Sequence, residues 1–134
     1  MSGFKSFEEI EAWKMARQLS LSIYVLSDQK PFITDYALRD QIRRAVISIF
    51  SNIAEGFERG GNKEFIQFLS FAKASAGEVR SQLYLALDLN YIEKESFEKL
   101  KLHVLNIGKT ISGLIKYLKT SELKGSKYST NIEL

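Results

Sequence analysis

The stretch FEKLKLHVLNIGKTISGLIKYL (Phe97–Leu118) places apolar side chains at Phe97, Leu100, Val104, Ile107, Ile111, Leu114 and Leu118. The steps alternate between three and four residues, the interval that returns to one side of an α-helix. A seam this narrow is how a helix faces its neighbours in a bundle. The period recurs upstream. Ala12, Met15, Ala16, Leu19, Ile23 and Leu26 form one stripe. Leu38, Ile42, Ala45, Ile49, Ile53 and Gly56 form a second, and Phe65, Leu69, Ala72, Ala76, Val79, Leu83 and Ala86 a third. No run alternates with period two over a useful length, so strands are not expected.

Three breaks separate the four segments. Pro31, the only proline, interrupts SDQKPFITD. Gly60-Gly61 suits a helix C-terminus, with Asn62 as the next N-cap. Asn90 marks a further helix end. Ser6 and Glu9 carry the spacing of a capping box at the start of the first helix. The reading is all-α: an antiparallel up-down-up-down four-helix bundle over residues 1–121 with a flexible C-terminal tail over 122–134. Helices of ~25 residues make a body ~38 Å long.

Composition narrows the function classes. The 134-residue chain suits one domain. It has no cysteine and one histidine, His103, which argues against disulfides, thiolate metal sites and histidine metal centres. The early acids of MSGFKSFEEIEAWK do not resemble a signal peptide, and no apolar run reaches spanning length. The expected setting is the cytoplasm, with no membrane role. The net charge is +3. Residues 93–134 carry eight Lys against five Glu, so the excess lies in the last segment. Such a balance permits polyanion binding without requiring it.

Catalytic sets are not found. Gly60-Gly61-Asn62-Lys63 lacks the P-loop frame. Glu55 and Glu58 lie three apart, but no Glu-x-x-His follows, so a di-iron site is not expected. No enzyme activity and no cofactor or metal is expected.

The second segment carries more than a core stripe. Arg44, Ser48, Asn52, Glu55 and Arg59 form a polar line along one flank. They could meet an anion. The better-founded reading makes Ser48, Asn52, Glu55 and Gly56 structural, because partly buried polar groups need partners and a glycine admits a close backbone. The small-residue run Ala72–Gly77 suggests similar tight packing. On the other flank, Val46, Ile47, Phe50 and Phe57 widen the apolar arc to nearly twice the ~100° a surface helix needs. Trp13, Tyr24, Ile66 and Tyr84 add to the excess on the first and third segments. One core is not expected to absorb all of these, so Trp13, Tyr24, Ile47, Phe50, Ile66 and Tyr84 are read as contacts in a homo-oligomer.

The stretch Gln41–Ile92 resembles the bacterial four-helix bundle proteins known as 23S rRNA intervening-sequence proteins. The matching residues are Arg43-Arg44, Ser48-Ile49, the Asn-Ile-Ala-Glu-Gly block at 52–56, Glu64-Phe65, the run Ala72–Gly77, Glu78, Gln82-Leu83 and Asn90-Tyr91-Ile92. The opening helix with its Trp13 is similar too. Phe50 stands where the family often has proline. The resemblance implies a four-helix bundle and, from related bundles, a cyclic pentamer. Some members are encoded within 23S rRNA gene insertions, and a related group assists reverse transcriptases through a basic pentamer. RNA or DNA is therefore the partner class it implies, alone or with a protein partner. Arg39, Arg43, Arg59, Lys63, Lys109 and Lys116 are the candidate phosphate contacts. The alternative is a structural or protein-interaction oligomer whose basic residues only solvate it.

Overall fold

A computed structural model describes residues 3–133, with side chains described for residues 3–121. Four α-helices follow one another: α1 Glu11–Ser27, α2 Tyr36–Glu58, α3 Asn62–Asp88 and α4 Lys94–Glu133. Short 3-10 turns at Phe7–Glu9 and Phe32–Thr34 precede α1 and α2, and no strand occurs among the described residues. The tail expected over 122–134 lies outside the residues whose side chains are described.

α1 packs on α2, α2 on α3, α3 on α4, and α4 returns to α1. The helices thus close a four-membered ring of antiparallel neighbours, the up-down-up-down bundle that the four stripes and short breaks require. The stripes supply the core. Every residue of the α2 and α3 stripes is buried. On α1, Ala12, Ala16, Leu19, Ile23 and Leu26 are buried and Met15 packs at the margin. On α4, Phe97, Val104, Ile107, Ile111 and Leu118 are buried while Leu100 and Leu114 lie half-buried against them.

The helix ends differ from expectation at two points, and a third cap was not anticipated. The Ser6–Glu9 capping box does not form: Ser6 makes no side-chain cap, and the Glu9 carboxylate accepts from the Lys5 backbone N–H instead, at 3.2 Å. Ile10 explains this. It is buried and held in an extended conformation (φ −76°, ψ 121°), which breaks the helix before Glu11. Asn62 is not a cap either. Gly61 occupies the N-cap of α3 and Asn62 is its first helical residue. The α2 cap is Asp35, whose Oδ1 accepts from the Leu38 N–H at 3.1 Å.

Two ends behave as read. Gly60 follows α2 at φ 85°, the left-handed conformation that glycine adopts without steric penalty. Asn90 follows α3 at φ 63°, with Tyr91 N–H donating to Ala86 O and Asn90 N–H to Leu87 O. That pair of bonds is a Schellman motif, which satisfies carbonyls the helix leaves free.

Candidate functional site

The side chains that flank the core stripes of α3 and α4 define a groove. Lys73 and Arg80 each follow a buried stripe residue, Ala72 and Val79. One residue is about 100° of helix rotation, so both stand on the rim facing α4. On α4, Lys109, Lys116 and Lys119 line the opposite rim. The groove has two compartments, about 400 Å³ and 710 Å³, which share Lys73 and Ser112. Its floor is low because Ala76, Gly77, Gly108, Ser70, Ala74 and Ser112 are small.

Among the described residues, no carboxylate lines either compartment. Among the described residues, ion pairs join Arg39 to Asp40, Arg59 to Glu55, Lys99 to Glu95 and Lys101 to Glu98, and none involves the five groove cations. Lys73, Arg80, Lys109, Lys116 and Lys119 are all exposed. Like charges without internal partners raise the local positive potential and favour a polyanion.

The six cations singled out from the sequence do not share one surface. Lys109 and Lys116 lie in this groove. Arg43 lies on the α1–α2 side, donating to Ser27 Oγ at 2.8 Å with its guanidinium 4.5 Å from the Tyr24 ring centroid. Arg39 pairs with Asp40 at 2.9 Å, donates to Ile33 O at 3.0 Å and stacks over Tyr36. Arg59 pairs with Glu55 at 3.0 Å and lies over Phe68, near the α2–α3 turn, where Lys63 is exposed. Sequence reasoning missed Lys73, Arg80 and Lys119. The available signal was their position one residue after a core residue on each helix.

The polar line of α2 faces α3. Asn52 Nδ2 donates to Ser48 O at 2.8 Å and to Ser48 Oγ at 2.9 Å, and Ser75 Oγ donates to Ser48 Oγ at 2.9 Å. These bonds tie the two helices. Glu55 is outside that network, exposed and paired only with Arg59. Arg44 is exposed. Gly56 meets α3 directly: a Cβ there would lie 2.5 Å from Phe68 Cβ. The tight contact expected at Ala72–Gly77 does not extend to Gly77, where an added Cβ would meet nothing within 4 Å.

The wide apolar arc is partly used within the chain. Trp13 makes edge contacts with Phe7 at 5.1 Å and Phe50 at 6.4 Å, so Phe50 packs against the bundle rather than pointing away from it. Ile66 also packs on the core. Tyr24, Ile47 and Tyr84 remain exposed, Tyr84 lying edge-on to Phe97. More exposed still are Leu21 at 66% and Val25 at 63%, which border a cleft of about 960 Å³ between α1 and the start of α4.

His103 on α4 is half-buried beside α1. Burial holds its imidazole below the ordinary histidine pKa, opposed by a hydrogen bond with the Met15 backbone. No group of three or more potential metal ligands occurs among the described residues. No helix among them is long and apolar enough to cross a membrane.

A family model described as 23S rRNA-intervening sequence protein matches residues 8–113. No curated protein matches the chain. Among solved structures, it is similar to a protein of unknown function from the S23 ribosomal protein family of Bacteroides thetaiotaomicron VPI-5482. That likeness has a TM-score of 0.72 at 24% identity and covers 78% of this chain and 95% of the other, a similarity of fold.

Proposed function

We propose that the protein binds nucleic acid along its α3–α4 groove, from two premises: the chain belongs to the 23S rRNA-intervening sequence protein family, and that groove gathers Lys73, Arg80, Lys109, Lys116 and Lys119 with no carboxylate among the described residues of its lining. The composition of the groove carries the reading. The family's name supports RNA as the first polyanion to try. No aromatic side chain lines the groove among the described residues, so they offer no platform for stacking bases, and contact is directed at phosphates with little sequence preference.

On this reading the protein is a cytoplasmic, non-catalytic scaffold that works as a homo-oligomer, with or without a protein partner. The exposed Leu21, Tyr24 and Val25 of α1 and Ile47 of α2 support self-association. The number five comes from the family resemblance alone. The cleft beside Leu21 and Val25 favours a second reading, an interaction module that needs no nucleic acid.

Binding of a mixed-sequence RNA, followed by fluorescence anisotropy as salt is raised, separates the two. Phosphate contact predicts affinity that falls steeply between about 50 and 200 mM salt. Absence of binding at the low-salt end would remove the nucleic-acid reading and leave the interaction module.

A further inference from the structure

We infer that the α3–α4 groove is a track for one flexible polynucleotide strand and discriminates against a duplex. The inference rests on the nucleic-acid reading above and adds the form of the ligand.

The cations stand on both rims, Arg80 and Lys73 on α3 and Lys109, Lys116 and Lys119 on α4. The compartment that holds Arg80 is bordered on α4 by Val104, Leu105 and Lys109, and the one that holds Lys116 and Lys119 is bordered on α3 by Lys73. Because the helices are antiparallel, the order along the groove is Arg80, Lys109, Lys73, Lys116, Lys119. From the level of Leu105 to Lys119 the rail is about 21 Å long, with a charge roughly every 5 Å. It is straight.

A duplex strand is not. In B-form DNA, at 3.4 Å per base pair and 10–10.5 base pairs per turn, about 21 Å covers about six pairs and more than half a turn, and the strands of an A-form RNA duplex wind about their axis as well. Each strand of a duplex therefore winds off a straight rail before reaching its end. A single strand has no such constraint. The groove is also concave and lies between helices whose axes pack about 8–10 Å apart. Its low floor is open at Gly77 and Gly108, where an added Cβ would meet nothing within 4 Å. A single chain can settle there between the rims. A duplex, much wider than that spacing, can touch only the rim side chains.

The test compares a labelled 12-nucleotide oligouridylate with a 12-base-pair RNA duplex by anisotropy on the full chain across a salt series. The single strand is expected to bind at least tenfold tighter. Five phosphate contacts give a slope of log K against log salt of about −3.5 for a single strand. The variant carrying Lys73→Gln with Lys109→Gln is expected to shallow that slope by about 1.4. Lys14→Gln, on the outer side of α1, is expected to leave it unchanged, and circular dichroism checks that every variant stays helical. Equal or tighter binding of the duplex would overturn the strand inference while keeping the nucleic-acid reading. So would a slope that Lys73→Gln with Lys109→Gln does not change. Displacement of the oligouridylate by poly-glutamate at matched charge would also overturn it, in favour of an acidic protein partner. Failure of both RNAs to bind at low salt would overturn the nucleic-acid reading itself.

Discussion

Gly56 and Gly77 are both helical glycines, and their surroundings predict opposite responses to the same change. In a helix interior, Gly→Ala normally stabilises by about 0.5–1 kcal/mol. At Gly77 the added methyl meets open space, so Gly77→Ala is expected to raise the thermal midpoint. At Gly56 it would sit 2.5 Å from the Cβ of Phe68, an atom fixed to the α3 backbone. The helices must part, and Gly56→Ala is expected to destabilise by about 1–3 kcal/mol. Thermal melts of the two variants beside the parent check both signs. A close approach at Gly56 is legible in the sequence because the residue continues a buried stripe. The setting of Gly77 is not, since a run of small residues reads alike whether it faces a neighbour or a groove.

His103 links the same scale to pH. Its folded pKa is lowered by burial, so the unfolded chain takes up the proton first as pH falls through the ordinary histidine value. Stability should therefore be fully present above that value and decline as pH falls through the window down to the lowered folded value. Urea midpoints between about pH 7.5 and pH 5.5 are expected to drop for the parent, with a smaller drop for His103→Gln.

At the scale of elements, the connections between helices determine how the ends are held. Asp35 serves two of them. One carboxylate oxygen caps α2, and Oδ2 accepts from the Tyr91 hydroxyl at 2.8 Å, while the Tyr91 ring stacks on Phe32 at 4.8 Å. The α1–α2 and α3–α4 connections are thereby joined at one end of the bundle. Asp35→Ala is expected to cost about 1–2 kcal/mol by losing the cap and leaving Tyr91 without its acceptor. Tyr91→Phe removes only the second bond and should cost less. A double-mutant cycle measured by chemical denaturation isolates their coupling. The cap is hard to read from the sequence because a 3-10 turn at Phe32–Thr34 separates the break at Pro31 from the start of α2. The capping box at Ser6 failed for the converse reason: local spacing was right, but burying Ile10 outweighed it. The helices themselves were legible, because a buried stripe of 3.6 period admits little else.

The whole molecule presents different chemistry on different sides. The α3–α4 side is basic, and the α1 surface exposes Leu21, Tyr24 and Val25. If self-association uses that apolar surface, light scattering coupled to size exclusion should give a mass well above the 15.3 kDa of one chain. Leu21→Glu with Val25→Glu should return it to that mass with helicity kept. A parent that already runs as a monomer would remove the assembly proposal. The excess of lysine in the last segment points to α4. The groove did not emerge, because Lys73 and Arg80 join Lys109 only when antiparallel packing brings distant segments side by side.

The ring of helix contacts has one more consequence. Three of its four seams join helices consecutive in the chain, across short turns, and only the α1–α4 seam closes a long loop. Mostly local contacts mean little loop entropy to overcome, so refolding should finish within milliseconds. The same topology leaves α1 and α4, the two terminal helices, each held by only one sequence-local seam and sharing the late-closing one. In hydrogen exchange under native conditions, α1 amides should therefore open at lower free energy than those of α3, which is clasped on both sides by its neighbours in sequence.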